Sequence, residues 1–181
     1  PEMSRGLGDV YKRQIEYMLQ ATEELPVDVR FMLPSCVPAT PLDESGANLD
    51  YRAIDSFYDH PRVQGLAEMM NFVGIINGDS QVVEKIVASQ AHHKKIDGHA
   101  PGLTGNDLNA YIAAGVYSDH ECSNVEEAMA KLERGQFIMI REGTAARNLE
   151  ALAPLLCGKY IERCMFCTDD KLSLIHISEP T

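Results

Sequence analysis

Short apolar runs alternate with amphipathic stretches along the middle of the chain, and that rhythm predicts a parallel sheet with helices outside it. Strand-like runs fall at 29–33, 63–67, 95–98, 114–118, 137–141 and 161–167. Several lack polar alternation, as strands buried on both faces do. Helix signals sit between them. Ser123, followed three positions on by Glu126, reads as a capping box, with Val125, Ala128, Met129 and Leu132 on one face and Gly135 just past the end. Asp79 or Ser80 opens a helix striped by Val82, Val83, Ile86 and Val87. Thr104 or Asn106 opens another, carrying Leu108, Tyr111 and Ile112 and stopped by Gly115. Asn48 or Asp50 precedes Ile54, Phe57 and Tyr58, a stretch that ends before Pro61. Leu149, Leu152 and Leu156 mark a last helix that Pro154 breaks or kinks. There is no repeat at the roughly 20–50 residue periods of solenoids, so any repetition is structural.

Composition narrows the partners. The chain has 181 residues, 45% of them hydrophobic, which is one domain's worth of globular sequence at most. Its formal charge of −11 is spread rather than blocked. That argues against nucleic acid and anionic membrane surfaces as partners. No apolar run approaches a membrane span, and the N-terminus carries no apolar signal core. Five cysteines are an odd number without the spacing of a disulfide framework. A cytoplasmic protein with reduced thiols is the expectation.

The two ends share a peculiarity visible only in codons. Asp9, Val10, Tyr11, Lys12, Arg13 and Gln14 can be encoded by GAT GTG TAT AAG AGA CAG. The reverse complement, CTG TCT CTT ATA CAC ATC, translates as Leu-Ser-Leu-Ile-His-Ile, and the chain reads Leu172, Ser173, Leu174, Ile175, His176, Ile177. The same DNA string in opposite orientations is what ligated library adapters leave, and the string resembles a commonly used transposon adapter. Residues 1–14 and 172–181 are therefore expected to be translated adapter, disordered or helical only by default, flanking a native piece at 15–171. The charge is unaffected, because Arg5, Lys12 and Arg13 drop out together with Glu2, Asp9 and Glu179. His176 leaves any site argument.

The remaining acids and histidines follow strands. Glu68 comes after the second run, His99 after the third, Asp119, His120 and Glu121 after the fourth, Arg141 and Glu142 close the fifth, and Asp169 and Asp170 the sixth. In a (β/α)8 barrel the carboxyl ends of all strands converge on one face, so these residues would meet. Two imidazoles and two carboxylates make a metal constellation suited to Zn, Mn or Fe. Singly, each residue is more often a helix cap or a solvated loop residue; the order acid, His, His, acid at successive strand ends favours ligation. His92 and His93, followed by Lys94 and Lys95, read as a solvated face, and His60 before Pro61 reads as structural. Cys164 and Cys167 lack the second pair of a zinc ribbon, Cys157 being alone, and are expected as buried strand thiols. The cytidine-type zinc deaminases need H-x-E and P-C-x-x-C, but no histidine here has Glu two positions on, and Arg163 precedes the first Cys. Phosphate-binding Gly loops are absent.

The strings Phe31-Met-Leu-Pro-Ser-Cys-Val-Pro-Ala-Thr40, Gly65-Leu-Ala-Glu-Met-Met-Asn71, Asp97-Gly-His-Ala-Pro101, Ser118-Asp-His-Glu121, Met139-Ile-Arg-Glu-Gly143 and Phe166-Cys-Thr-Asp-Asp170 are carried in order along 15–171. Together they resemble the bacterial adenine deaminase family of the amidohydrolase superfamily. The resemblance implies a metal-dependent TIM barrel that hydrolyses adenine to hypoxanthine and ammonia in adenine catabolism and purine salvage. It implies two divalent cations, Mn2+ or Fe2+, with Zn2+ also compatible. By position Glu68 would bridge the metals, His99 and His120 would be the ligands of the fifth and sixth barrel strands, and Asp169 the eighth-strand acid touching metal and attacking water. Asp169 would take the water proton, and it or Glu121 would return one to the ring nitrogen and departing amine. Asp97 and Asp119 would support the histidines. Ser35, Cys36, Asn71 and Glu142 would line the adenine pocket, with Arg141 and Asp170 as neighbours. A homo-oligomer is compatible with the full-length protein.

One departure matters. The first barrel strand, where the superfamily carries an H-x-H pair, is missing, as is the second, and 15–171 falls well short of the roughly 250 residues of a complete barrel. The polypeptide as written is therefore expected to be an inactive, aggregation-prone piece with exposed sheet edges, cut from an active parent. Two alternatives stand beside this reading: an amidohydrolase acting on another aminopurine or a cyclic amide, and a non-catalytic truncated barrel.

Overall fold

The computed structural model describes residues 2–38, 44 and 48–169. Its frame is six short strands: β1 Phe31–Leu33, β2 Val63–Met69, β3 Lys95–Gly98, β4 Ser118–Asp119, β5 Phe137–Arg141 and β6 Cys164–Cys167. They form two three-stranded sheets, β1-β2-β3 and β4-β5-β6, in chain order and with every pairing parallel. A parallel bridge between Ile96 and Val116 joins the sheets, and Tyr117 N donates to Ile96 O at 3.1 Å. Parallel strands need crossovers, and here these carry the helices. The helices are α1 Glu2–Ala21, α2 Tyr51–Ile54, α3 Phe72–Asn77, α4 Ser80–Ala91, α5 Gly105–Ala113, α6 Val125–Leu132 and α7 Leu149–Leu152.

Two apolar clusters hold the frame. Leu33, Val63, Leu66, Met69 and Ile96 from the first sheet bury against Ile54, Ile86, Leu108 and Tyr111. Ile138 and Ile140 of β5 bury against Ala128, Leu132, Leu152 and Leu155. Neighbouring strands come close enough to require glycine. A Cβ on Gly98 would stand 2.1 Å from Ser118 O, and one on Gly65 2.0 Å from Lys95 O. Gly98 therefore sets the approach of β3 to β4 immediately before His99.

Runs 95–98 and 137–141 are strands at the expected limits, and β2 extends two residues further. The fourth run differs: residues 114–115 are still turning out of α5, Gly115 at φ 96°, and pairing starts with the bridge at Val116. In the sixth, Ile161–Arg163 is a 3-10 turn, closed by Arg163 N donating to Tyr160 O at 2.8 Å, and only Cys164–Cys167 is strand. The capping box of α6 is displaced by one residue. Asn124 caps it, accepting from Glu127 N at 2.8 Å, and the Glu127 carboxylate accepts from Ser123 N. Asp79 and Asp50 are caps as read, Thr104 is a cap by position alone, and at Pro154 α7 gives way to the 3-10 turn Ala153–Cys157.

Helix α1 crosses position 14 without interruption, and among its residues whose burial is described Ile15 and Leu19 lie in the core. Short α3, capped by Asn71, has no counterpart in the sequence reading, and Asp170 and 172–181 lie outside the described residues. Among the described residues no helix is long and apolar enough to cross a membrane. All five cysteines are free thiols. Cys164 and Cys167 are half-buried rather than buried, because among the described residues no strand lies against the outer edge of β6; burial still raises both thiols, Cys167 to about 11.

Candidate metal centre

Because all strands run the same way, residues at their carboxyl ends gather on one side. Glu68 lies in the last turn of the pleat of β2, His99 directly follows β3, and His120 directly follows β4. Glu68 Oε2 lies 3.2 Å from His99 Nδ1 and 3.0 Å from His120 Nε2. Both imidazole nitrogens are also 3.5 Å from Glu121 Oε1, and the rings meet edge to face at 5.3 Å. His120 is 6% exposed, whereas Glu68 keeps 39% of its side chain in solvent. The centre is open on its acidic side.

The charges are mutually adjusted. Hydrogen bonds with His120 and His99 hold the Glu68 carboxyl down at about 2, against burial. Burial works against a charged His120, but its bond to Glu68 and the nearby Asp97 and Asp119 outweigh it and raise the imidazole above its usual value. Asp97 is pushed up chiefly by burial and accepts hydrogen bonds from Ser118 Oγ and Gly98 N.

The second carboxylate group is organised by Arg141, the last residue of β5. Its guanidinium grips Glu121 through both Nη atoms and reaches Asp169 Oδ2 at 2.5 Å. Asp169 sits two residues past β6 at φ 49°, a left-handed conformation that Asp tolerates better than most residues. Ligand atoms of Glu68, His99 and His120 lie within 4.8 Å of one another, and so do those of His120, Glu121 and Asp169. Ligands about 2.1 Å from a shared cation stand roughly 3 to 3.5 Å apart. The separations of Glu68 Oε2 from the two imidazole nitrogens, 3.2 and 3.0 Å, meet that requirement, and neutral imidazole nitrogens with carboxylate oxygens suit Mn, Fe or Zn. The residues therefore fit a divalent cation.

The backbone here is held by groups the sequence reading did not single out for it. Tyr111 Oη accepts from His99 N at 2.9 Å and donates to Met69 O at 2.8 Å. Asn148 Nδ2 donates to His120 O and Cys122 O, while its Oδ1 accepts from Arg141 N at 2.6 Å. Nothing local marks either residue: Tyr111 reads as an apolar helix position and Asn148 as a loop.

The expected pocket residues separate. Ser35, Cys36 and Asn71 line one cavity of about 330 Å³, together with Asp79, Gln81 and the buried Lys85, whose Nζ donates to Ser35 O at 2.7 Å. Ser35 Oγ donates to Glu68 O at 2.5 Å, which links that cavity to the metal centre. Glu142 is not there. It stands exposed, 3.9 Å from Arg147, because it turns outward after β5. Asp119 touches neither imidazole; its oxygens accept from Ala100 N and Glu121 N. His92 is more than a solvated residue, bonding Asp55 at 3.1 Å and stacking on Tyr58, whereas His93 is exposed. His60 accepts from Arg62 N, a structural role as read.

Parallel strands that gather two imidazoles and several carboxylates at their carboxyl ends define an α/β protein with a cation-competent centre. The model of the amidohydrolase family matches residues 3–178, and the chain belongs to that family. It is 52% identical over 157 residues to an adenine deaminase of Desulfatibacillum aliphaticivorans, covering 87% of this chain and 28% of that protein. It is 50% identical over 157 residues to an adenine deaminase of Nitratidesulfovibrio vulgaris strain DP4, and 51% over 158 residues to one of Kosmotoga olearia, with 87% of this chain and 27% of each relative covered. The chain thus spans little more than a quarter of the curated relatives it matches.

Proposed function

We propose that this chain is the central part of a metal-dependent (β/α)8 barrel whose complete form hydrolyses adenine to hypoxanthine and ammonia. The observation that carries the reading is the convergence of Glu68, His99 and His120 at adjacent strand ends in a chain about half identical to adenine deaminases. The six parallel strands in chain order support the barrel. The adapter origin of the ends rests on the shared codon string alone, since the family match itself runs over 3–178.

Glu68, His99, His120 and Asp169 would hold one or two divalent cations, of which Mn2+ and Fe2+ are the first candidates. A cation held there supplies, by lowering the pKa of water toward about 7, a nucleophile at neutral pH. The chain's own groups do the rest. Asp169 Oδ2 accepts the proton of the attacking water, and it or Glu121 passes that proton to the ring nitrogen; the proton of the newly added hydroxyl then goes to the exocyclic amine, which leaves as ammonia when the C6–N bond breaks. Arg141, bonded to both, keeps their oxygens at fixed separation. Ser35, Cys36 and Asn71 would bind the purine, with Lys85 beside them as a further donor. Cytoplasmic purine salvage is the setting this reaction would serve, and the complete protein could form a homo-oligomer.

The test begins with long-read sequencing of the source DNA across both ends of the reading frame. An open frame continuing past Gln14 and Lys171 with an upstream H-x-H and no adapter string is expected. The encoded protein should then release ammonia from adenine in preference to other aminopurines and cyclic amides, while the 181-residue polypeptide should not. Genomic termini identical to those here, or a complete protein inert toward adenine, would overturn the reading.

A further inference from the structure

Behind the centre lies a second charged cluster whose members are almost wholly out of water. Lys131 and Asp119 are 0% exposed, and Glu127 keeps 8% of its side chain in solvent. The Lys131 ammonium donates to Ala100 O at 2.7 Å and to Glu127 Oε1 at 3.0 Å, and Asp119 Oδ2 is 3.2 Å away. The ammonium thus makes two hydrogen bonds and one further ion pair. The two carboxylates spend their remaining capacity on backbone. Asp119 accepts from Ala100 N at 2.9 Å and Glu121 N at 2.6 Å, and Glu127 from Gly102 N at 2.8 Å and Ser123 N at 3.2 Å.

Those backbone groups are not scattered. Ala100 directly follows His99 and has both its N–H and its C=O held by the cluster. Asp119 directly precedes His120 and fixes the N–H of Glu121. Gly102 and Ser123 lie further along the same two loops. One lysine on α6, with the acid one turn before it, thereby ties the loop after β3 to the loop after β4. A buried ion cluster is costly to assemble and contributes little net stability compared with apolar packing; where one is kept, fixing position is its best-attested use.

We propose that Lys131, with Asp119 and Glu127, is a positioning device that sets the separation of His99, His120 and Glu121 and so tunes the affinity and geometry of the cation site. This rests on the metal-centre reading. None of the three residues touches the cation; they act through Ala100, Glu121 and the loop amides. Changes to groups that orient metal ligands typically cost about 10–100-fold in metal affinity.

The experiment uses the full-length protein carrying this segment, numbered as here, stripped of metal and titrated with Co2+ while its visible ligand-field absorption is recorded. Wild type should bind Co2+ and His120→Ala should lose the bands. Lys131→Met should bind about 10–100-fold more weakly with a shifted spectrum, and Glu127→Gln should move both readouts the same way by less. Val63→Ala, a core truncation at the opposite end of β2, should lower stability and leave the spectrum unchanged. Amide hydrogen exchange of the metal-free protein supplies an independent readout: Ala100, Gly102, Glu121 and Ser123 should lose protection in Lys131→Met relative to Val63→Ala. If wild type binds no Co2+, the metal reading falls, and the exchange result alone decides whether the loops are positioned by Lys131. If Lys131→Met folds and keeps the wild-type affinity and spectrum, the proposal is overturned. Should that variant not fold, an unchanged Glu127→Gln overturns it equally.

Discussion

The two charged clusters are built from the same kinds of side chain and behave in opposite ways. Around Lys131, the ammonium is held by two hydrogen bonds and two carboxylates of the protein, and the group is sealed from solvent. Around Glu68, two imidazole nitrogens and carboxylate oxygens point at one another, and part of the group is open to water. A cluster whose hydrogen bonds close on themselves has nothing left to offer a ligand. One whose lone pairs converge is satisfied only by protons or by a cation. Polar burial alone is therefore a poor guide to a site; the balance of donors and acceptors separates scaffold from chemistry.

That contrast can be broken deliberately. The largest effect on stability is expected from Lys131→Met, which strands two buried carboxylates and should cost about 3–5 kcal/mol in urea denaturation. His120→Ala should cost at least about 2.7 kcal/mol of metal-binding free energy, a factor of roughly 100, while shifting the metal-free denaturation midpoint far less than Lys131→Met does. An isothermal titration alongside the denaturation curve separates the two. Gly98→Ala, whose Cβ would meet Ser118 O, should destabilise by about 1–3 kcal/mol and weaken metal binding with it.

Smaller is the pH response of the metal-free protein. Glu68, with its carboxyl depressed to about 2, contributes stability that is present above about 4.5 and lost as pH falls through about 2. His120, raised above 6.5, contributes stability that is present below 6.5 and lost as pH rises through its folded value. In EDTA these two groups should give a stability maximum between about pH 4.5 and 6.5; saturating metal, which requires neutral imidazole, should move that maximum upward. Smallest of all, Glu142→Ala should change neither stability by more than about 0.5 kcal/mol nor metal affinity, since its side chain faces solvent.

Glu68, His99, His120 and Glu121 were legible as a group because parallel strands convert position along the chain into position on one face, and a strand end can be read from a short apolar run. Asp119 shows the limit of that logic: it stands at the same strand end, yet its side chain turns back to the loop amides. Lys131 shows another. Glu127 and Lys131 stand at the i, i+4 spacing of a surface helix pair, and only the packing of α6 over two loops makes them interior. Arg141 between Glu121 and Asp169 depends on the register of β5 with β6, which no local pattern encodes. Boundaries failed where a glycine or a tight turn intervened, at Gly115 and at Ile161–Arg163.

Tyr111 holds both Met69 O and His99 N through one hydroxyl, and the chain contains no tryptophan. With no indole present, ultraviolet absorption and emission are dominated by tyrosines, of which Tyr58 and Tyr111 are the fully enclosed pair among the residues whose burial is described. A phenol wedged between the backbone of His99 and the strand that carries Glu68 is a built-in optical gauge. Its spectrum should register any displacement of His99 without a label being attached.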